Sequence, residues 1–179
     1  MSRHNIYLIT LVMLVCGAAF AASGRLEPTL ETHLGPWYRP GAPFVTSLWE
    51  PGQAGERLQL RGRVLNTTGL PIEDALLELW HTDALGNYPP LRASQRTRKN
   101  GSFAISTVLP GHNAGYRARH IHFVVTHPAH AQLITRIFFK GDKNIAEAPY
   151  PELAVFLEEG SIKGQPVLFA DIEFVLQPQ

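Results

Sequence analysis

Short apolar runs separated by turn-forming residues dominate the chain after residue 56. The runs cover Arg57–Leu65, Ala75–Thr82, Ser102–Leu109, Arg119–Thr126, Leu133–Phe139 and Val167–Leu176. Asn, Gly, Pro and Asp cluster between the runs, as at 66–69, 84–87, 99–101, 110–113 and 140–142. Short β-rich runs punctuated in this way predict an all-β fold, either a sandwich or a barrel. No window predicts a long helix, although 147–157 has room for one or two turns.

The first 21 residues are typical of a secretory signal peptide. Arg3 provides a polar start, Ile6–Phe20 is almost wholly apolar, and Ala19-Phe20-Ala21 has the small-x-small pattern of a cleavage site. The apolar run is shorter than the ~20 residues that a membrane-spanning helix needs, which disfavours a retained anchor. We therefore predict a signal peptide over 1–21, an irregular Pro- and Gly-rich arm over 22–56, a β domain over 57–179, and a secreted or periplasmic protein.

Composition narrows the functional classes. The formal net charge of the 179 residues is +1, so no global basic field predicts binding to nucleic acid or, after signal cleavage, to a membrane. The single cysteine excludes a disulfide scaffold and a cysteine-based zinc site. The sequence also lacks the nucleophile-elbow, phosphate-loop and dinucleotide motifs of hydrolases and nucleotide-binding enzymes.

A His-x-His pair on a predicted strand is the main candidate for chemistry. His120 and His122 are two positions apart, so on a strand they point to the same face, about 6–7 Å apart. Ile121 and Phe123 then point into the opposite, apolar face. This spacing can supply half of a metal site, although two histidines also alternate by chance on solvated strands.

Two tyrosines are candidates for completing such a site. Tyr88 follows the 84–87 turn, and Tyr116 lies four residues before His120. A phenolate oxygen is a hard anionic ligand, which favours a hard trivalent ion such as Fe(III) over softer metals. Each tyrosine taken alone is equally consistent with an ordinary core or surface residue.

Several motifs in order resemble the intradiol ring-cleavage dioxygenases, a non-haem Fe(III) family that includes catechol 1,2-dioxygenase and protocatechuate 3,4-dioxygenase. The matching segments are Gly35–Pro43, Arg61–Val64, Gly69–Pro71, Ala75–Trp80, Gly86–Tyr88, Gly101–Phe103, Thr107–Gly111, Arg117–Phe123 and Phe138–Asp142. The resemblance implies an antiparallel β-sandwich of the intradiol dioxygenase core type. It also implies insertion of O2 into a catecholic substrate, with cleavage between the two hydroxylated carbons to a muconate-type diacid.

Carried over by position, the resemblance assigns roles to individual residues. Tyr88, His120 and His122 match iron ligands. Arg117 matches the arginine beside bound substrate, where it would act on developing charge. Gly35, Pro36 and Trp37 match a segment lining the catechol pocket. Some family members are homo-oligomers, so pairing of this chain is compatible with the resemblance.

The chain departs from the family pattern at two positions. The second ligand tyrosine normally follows the Pro-Gly pair closely, but here Pro110-Gly111 is followed by His112, and the nearest tyrosine is Tyr116. Tyr116 and His112 are therefore both candidates for the fourth ligand, and ligand hardness favours Tyr116. The resemblance implies that the substrate displaces this ligand during catalysis and that the released tyrosinate takes up a substrate proton. The second departure is Arg136, which stands where a glutamine is usual and is expected to contact substrate.

Two other functions remain open on the sequence. A secreted prealbumin-like β-sandwich that only binds a ligand would explain Arg61–Trp80 but not Tyr88 or the His-x-His pair. A copper or zinc protein would use the histidines but needs further ligands that the sequence does not place convincingly.

Overall fold

Two β-sheets packed face to face form the protein. The structure is a computed structural model that describes residues 24–88 and 90–179; the predicted signal peptide and its boundary with the arm lie outside these residues. The strands are β1 (Arg57–Asn66), β2 (Leu76–His81), β3 (Leu91–Arg96), β4 (Ser102–Val108), β5 (His120–His127), β6 (His130–Phe139), β7 (Ala154–Val155), β8 (Glu158–Ile162) and β9 (Gln165–Leu176). Within the described residues, helical structure is limited to three 3-10 turns, at Asn113–Gly115, Ile145–Glu147 and Pro151–Leu153.

The two sheets are mixed, which corrects the predicted antiparallel sandwich. One sheet has the order β4-β1-β9-β8 and the other the order β3-β2-β5-β6-β7. β1 runs parallel to β9, from Leu58 opposite Leu168 to Asn66 opposite Leu176. β6 runs parallel to the short β7. A parallel neighbour depends on how distant segments meet, and the alternation of apolar residues within one strand does not encode it.

The apolar core lies between the sheets. Alternate residues of β5 point into it, and Ile121, Phe123 and Val125 are completely buried there. Phe123 packs against Phe174 of β9 with ring centroids 5.0 Å apart, which joins one sheet to the other. The side chains at the intervening positions of β5, including His120 and His122, therefore lie on the outer face of the five-stranded sheet.

The arm preceding β1 crosses both sheets and covers that outer face. Thr29 N donates to Val175 O, Thr32 N to Ile134 O, and Ser94 N to Pro43 O, so the arm is hydrogen-bonded to three different strands. No helix within the described residues is long and apolar enough to cross a membrane.

Candidate metal and substrate site

Two histidine rings meet on the outer face of β5. The ring centroids of His120 and His122 are 5.0 Å apart and the planes are 78° to each other. Nδ1 of His120 lies 2.7 Å from the carbonyl oxygen of Ala118, to which it donates when Nδ1 carries the proton. That tautomer leaves Nε2 of His120 with a free lone pair, which is the form of imidazole that binds a metal.

Burial keeps both histidines neutral. It is the largest cause lowering the pKa of His120, and it lowers the pKa of His122 to about 2. The neighbouring Arg136 adds to both shifts. Nδ1 of His122 is buried without a hydrogen-bond partner among the described residues. Burial therefore favours the neutral form of both imidazoles, which is the form that donates a lone pair to a metal.

A layer of aromatic and polar residues on β2 supports His122. Trp80 lies opposite His122 in the strand register, and the two rings stack with centroids 4.8 Å apart and planes 4° from parallel. The adjacent His81 is not a ligand candidate, because its Nδ1 lies 2.7 Å from Thr82 O and its Nε2 lies 2.9 Å from Thr107 Oγ1. His81 is a fully hydrogen-bonded core histidine.

Tyr88 follows a turn that is fixed against the loop after β4. Gly86 has a φ of +87°, and a Cβ there would lie 2.5 Å from the carbonyl oxygen of His112, so only glycine fits. Asn113 Nδ2 donates to Gly86 O at 3.2 Å. Burial raises the pKa of the Tyr88 phenol, whereas the positive charges of Arg117 and Arg136 oppose that rise. The phenol is thus in a site where a nearby cation would favour its ionisation.

The arm brings the predicted pocket segment onto these residues. Gly35, with a φ of +73°, approaches His122 so closely that a Cβ would lie 3.4 Å from Cε1 of its ring. Trp37 stacks on Tyr88 with centroids 4.5 Å apart and planes 13° from parallel. Trp37 is nevertheless 44% exposed, so it forms the outer wall of the site. Pro36 between them faces solvent.

Glu78 on β2 fastens the arm in this position, and sequence reasoning missed it. Its carboxylate accepts hydrogen bonds from Tyr38 OH at 3.1 Å, Gly41 N at 2.9 Å and Ala42 N at 3.3 Å. Tyr38 also packs on Trp80 with centroids 4.9 Å apart. The only signal in the sequence was the position of Glu78, which shares a strand face with Trp80.

The two candidates for a fourth ligand lie elsewhere. Tyr116 is 66% exposed. His112 Nε2 lies 3.0 Å from Oδ2 of Asp142, a carboxylate that also accepts a hydrogen bond from Arg119 N. The structure thus brings Tyr88, His120 and His122 to one region but leaves Tyr116 in solvent and His112 on Asp142.

Both predicted arginines border the histidine pair. Arg136 lies opposite His122 on β6 and is only 5% exposed, whereas Arg117 is exposed at the loop before β5. Each lowers the pKa of His120 and of His33, an arm residue that sequence reasoning did not place here. The region is therefore cationic before any metal is considered.

The donor set fits a hard metal ion only if tyrosine takes part. Among residues 24–88 and 90–179, no group of three or more His, Cys, Asp or Glu side chains could hold a metal. Two imidazoles and one phenol instead lie in one region, where the charges of Arg117 and Arg136 act on both His120 and Tyr88. A phenolate is a ligand that hard trivalent ions accept, so Tyr88, His120 and His122 are the residues that fit such a metal.

Comparison with known proteins identifies the family. The family model described as "Dioxygenase" matches residues 35–177, which include the arm, the histidines and both sheets. The chain belongs to this family, the intradiol dioxygenases, as the motifs had predicted.

Curated relatives carry names from the same family. A catechol 1,2-dioxygenase 2 of Acinetobacter lwoffii is 33% identical over 153 residues, covering 69% of this chain and 56% of the relative. A hydroxyquinol 1,2-dioxygenase of Nocardioides simplex is 30% identical over 144 residues, covering 65% of this chain and 49% of the relative. The chain thus spans about half the length of these relatives.

Solved structures share the fold. The dioxygenase domain of a dioxygenase and carbohydrate-binding fusion from Streptomyces sp. SirexAA-E has a TM-score of 0.74 at 29% identity, covering 84% of this chain and 99% of that chain. The 3-chlorocatechol 1,2-dioxygenase of Rhodococcus opacus 1CP has a TM-score of 0.75 at 23% identity, covering 88% of this chain and 75% of that chain.

Proposed function

We propose that this protein is a non-haem Fe(III) dioxygenase that cleaves a catecholic ring between its two hydroxylated carbons. The product is a muconate-type diacid that contains both atoms of O2. The observation that carries the proposal is the convergence of Tyr88 with two neutral histidines, in a chain of the dioxygenase family.

The residues of the chain divide the work of holding the metal. His120 and His122 supply neutral nitrogen donors, and Tyr88 supplies an anionic oxygen. Ferric iron held by these residues would supply Lewis-acid activation of the catechol toward O2. The Ala118 carbonyl fixes the tautomer of His120, and Trp80 fixes the plane of the His122 ring through its stacking contact.

Other residues position the substrate. Trp37 presents an aromatic face at the outer wall, Gly35 leaves the space beside His122 that a side chain would occupy, and Pro36 lies between them. Arg117 has the charge and position to stabilise negative charge on the ring. O2 is the second substrate.

A fourth protein ligand requires a rearrangement of the loop between Gly111 and Arg117. Ligation by Tyr116 requires this loop to turn inward, and Gly115, with a φ of +74° and open space around it, is the residue at which the backbone can rotate. Ligation by His112 requires its bond to Asp142 to break. Without either residue, the chain supplies three ligands.

The decisive experiment is the visible absorption spectrum of the purified protein, with metal analysis of the same sample. A phenolate-to-Fe(III) charge-transfer band is expected, and anaerobic catechol is expected to shift it. His120→Ala and His122→Ala should lose the band and the iron. His127→Ala, at the far end of the same strand, is the matched control and should retain both.

A different set of results would reject the proposal. A protein that binds no iron after ferric loading, or whose iron content is unchanged in His120→Ala, is not such a dioxygenase. Tight binding of an aromatic ligand without iron would instead support the alternative of a prealbumin-like binding module.

We also propose that the protein is exported, with cleavage after Ala21 and the β domain beginning at Arg57. N-terminal sequencing of the protein recovered from each cell fraction tests both the export and the cleavage site. An intact Met1 in the cytoplasmic fraction alone would contradict export. Sedimentation of the same material tests whether the chain forms a homo-oligomer.

A further inference from the structure

Arg136 is a buried arginine whose hydrogen-bond acceptors are all uncharged. It lies opposite His122 in the β5–β6 register and is 5% exposed. Its Nη2 donates to the carbonyl oxygen of His33 at 3.0 Å, and its Nε donates to Thr32 Oγ1 at 3.3 Å. The arm therefore holds the guanidinium in place without neutralising it.

No acidic side chain compensates this charge. Within residues 24–88 and 90–179, the ion pairs involve other basic residues, and none includes Arg136. Burial is the largest cause lowering the pKa of Arg136, and Arg117 lowers it further, whereas the phenols of Tyr150 and Tyr88 act in the opposite direction. An unpaired buried cation is costly, so the site has a strong electrostatic preference for an anion.

The guanidinium lies among the residues of the proposed site. Its positive charge acts on His33, His120, His122 and Tyr88, which surround the site from the arm, from β5 and from the turn after β2. On another side it lies over the ring of Tyr150, 5.8 Å from the centroid. The charge is thus enclosed by the groups that form the site.

We infer that Arg136 is a specificity-determining residue that selects a catechol bearing a carboxylate on its ring over a neutral catechol. The identity of the ligand as a catechol rests on the proposed function. The preference for the anion rests on the buried, uncompensated guanidinium alone. A planar guanidinium with free N–H groups matches a carboxylate with two parallel hydrogen bonds.

The test compares two ligands of nearly equal shape. 3,4-Dihydroxybenzoate and 3,4-dihydroxybenzamide differ in charge but not in ring or size. Their dissociation constants are measured anaerobically by titration of the purified protein, so no turnover is needed. We expect the benzoate to bind at least about tenfold more tightly, the effect of one charge-assisted hydrogen bond. Equal dissociation constants would overturn the inference without any mutation.

Three variants assign the preference to Arg136. Arg136→Gln should bring the two dissociation constants within about twofold of each other, and Arg136→Lys should retain part of the preference. Arg63→Gln removes an exposed arginine on β1, in the other sheet, and should leave the ratio unchanged. If Arg136→Gln weakens both ligands equally, Arg136 only braces the arm, and the inference is wrong.

Failure of this inference and failure of the proposed function are distinguishable. A protein that prefers the benzoate but consumes no O2 with either ligand retains the charge selection and loses the dioxygenase activity. A protein that cleaves both ligands and binds them with equal dissociation constants has the proposed activity, but Arg136 then does not have the inferred role.

Discussion

Three histidines lie close together at the site but differ in what their ring nitrogens contact. His81 has hydrogen bonds at both nitrogens, His120 has one at Nδ1, and His122 has none at its buried Nδ1. The histidines that retain an unbonded ring nitrogen are those whose side chains point to the outer face of the sheet. Hydrogen bonding therefore separates the structural histidine from the two candidate ligands.

The burial of His81 predicts a pH-dependent stability. Its pKa in the folded protein is about 4, because burial disfavours the imidazolium, whereas an unfolded histidine titrates near 6.5. As the pH falls from 6.5 to 4, the unfolded chain binds a proton that the folded protein does not, so the free energy of unfolding decreases. The contribution of this group is about 3 kcal/mol.

Chemical denaturation of the metal-free protein between pH 7.5 and 4.5 measures this contribution. His81→Gln retains a donor and an acceptor but cannot titrate, so its stability should decrease less steeply than that of the wild type. Parallel profiles for the two proteins would show that folding does not lower the pKa of His81.

The exposure of Tyr116 and the enclosure of Tyr88 predict opposite effects of removing each phenol oxygen. Tyr88→Phe should abolish the charge-transfer band of the iron-loaded protein, because it removes the one convergent phenolate. Tyr116→Phe should retain the band, because this side chain faces solvent. Absorbance of the two variants at equal iron content is the measurement. Loss of the band in Tyr116→Phe would instead establish that the loop turns inward.

Single-residue patterns predicted part of the site well. Strand parity correctly placed Ile121 and Phe123 in the core, with His120 and His122 on the opposite face. The sequence could not show that Arg136 is buried without a carboxylate, because that depends on what the arm and β7 place around it. The role of Glu78 was equally hidden, since its partners lie about 40 positions earlier in the chain.

At the scale of elements, the arm forms a wall of the site, and its segment around Trp37 is tied to β2 by Glu78. Replacing Glu78 with alanine removes the acceptor of three hydrogen bonds, two of them from backbone N–H groups. The arm around Trp37 should then open more often, although the two sheets remain paired.

Hydrogen exchange measures this opening. In Glu78→Ala, the amides of Gly41 and Ala42 should exchange at least about tenfold faster than in the wild type, the effect of losing one charge-assisted hydrogen bond. Glu73→Ala, which removes an exposed carboxylate close by, is the control. Unchanged exchange in Glu78→Ala would mean that the stacking contacts of Trp37 and Tyr38 suffice to hold the arm.

The strands that the apolar pattern predicted are present, and of the three that it missed, β7 is only Ala154–Val155 while β3 and β8 are polar. Leu91–Arg96 and Glu158–Ile162 form β3 and β8 at sheet edges, where one side of the strand is solvated and charged residues are tolerated. Their sequences contain few apolar residues, so they were not predicted. The parallel pairing of β1 with β9 was missed for the separate reason that it joins segments about a hundred residues apart.

At the scale of the whole molecule, the core between the sheets supports the site from behind. Phe123 is completely buried and lies next in sequence to His122, with its ring against Phe174 of the other sheet. Phe123→Ala should lower the free energy of unfolding by about 3–5 kcal/mol, because it leaves a cavity between the sheets.

Urea denaturation measures that loss, and Phe169→Ala provides a comparison on the partly exposed face of β9, where a smaller loss is expected. Iron content per folded molecule should be unchanged in Phe123→Ala if the outer face of β5 keeps its geometry. An equal loss of stability in both variants would contradict the assignment of Phe123 to the central core.

The parallel pairing of β1 with β9 has a consequence for how the protein is made. β1 lies between β4 and β9, so its sheet is incomplete until Gln165–Leu176 has been synthesised. Contacts this distant in sequence also make folding slow. The segments before β9 therefore wait for their central partner, and folding of the sandwich is completed only after β9 has left the ribosome.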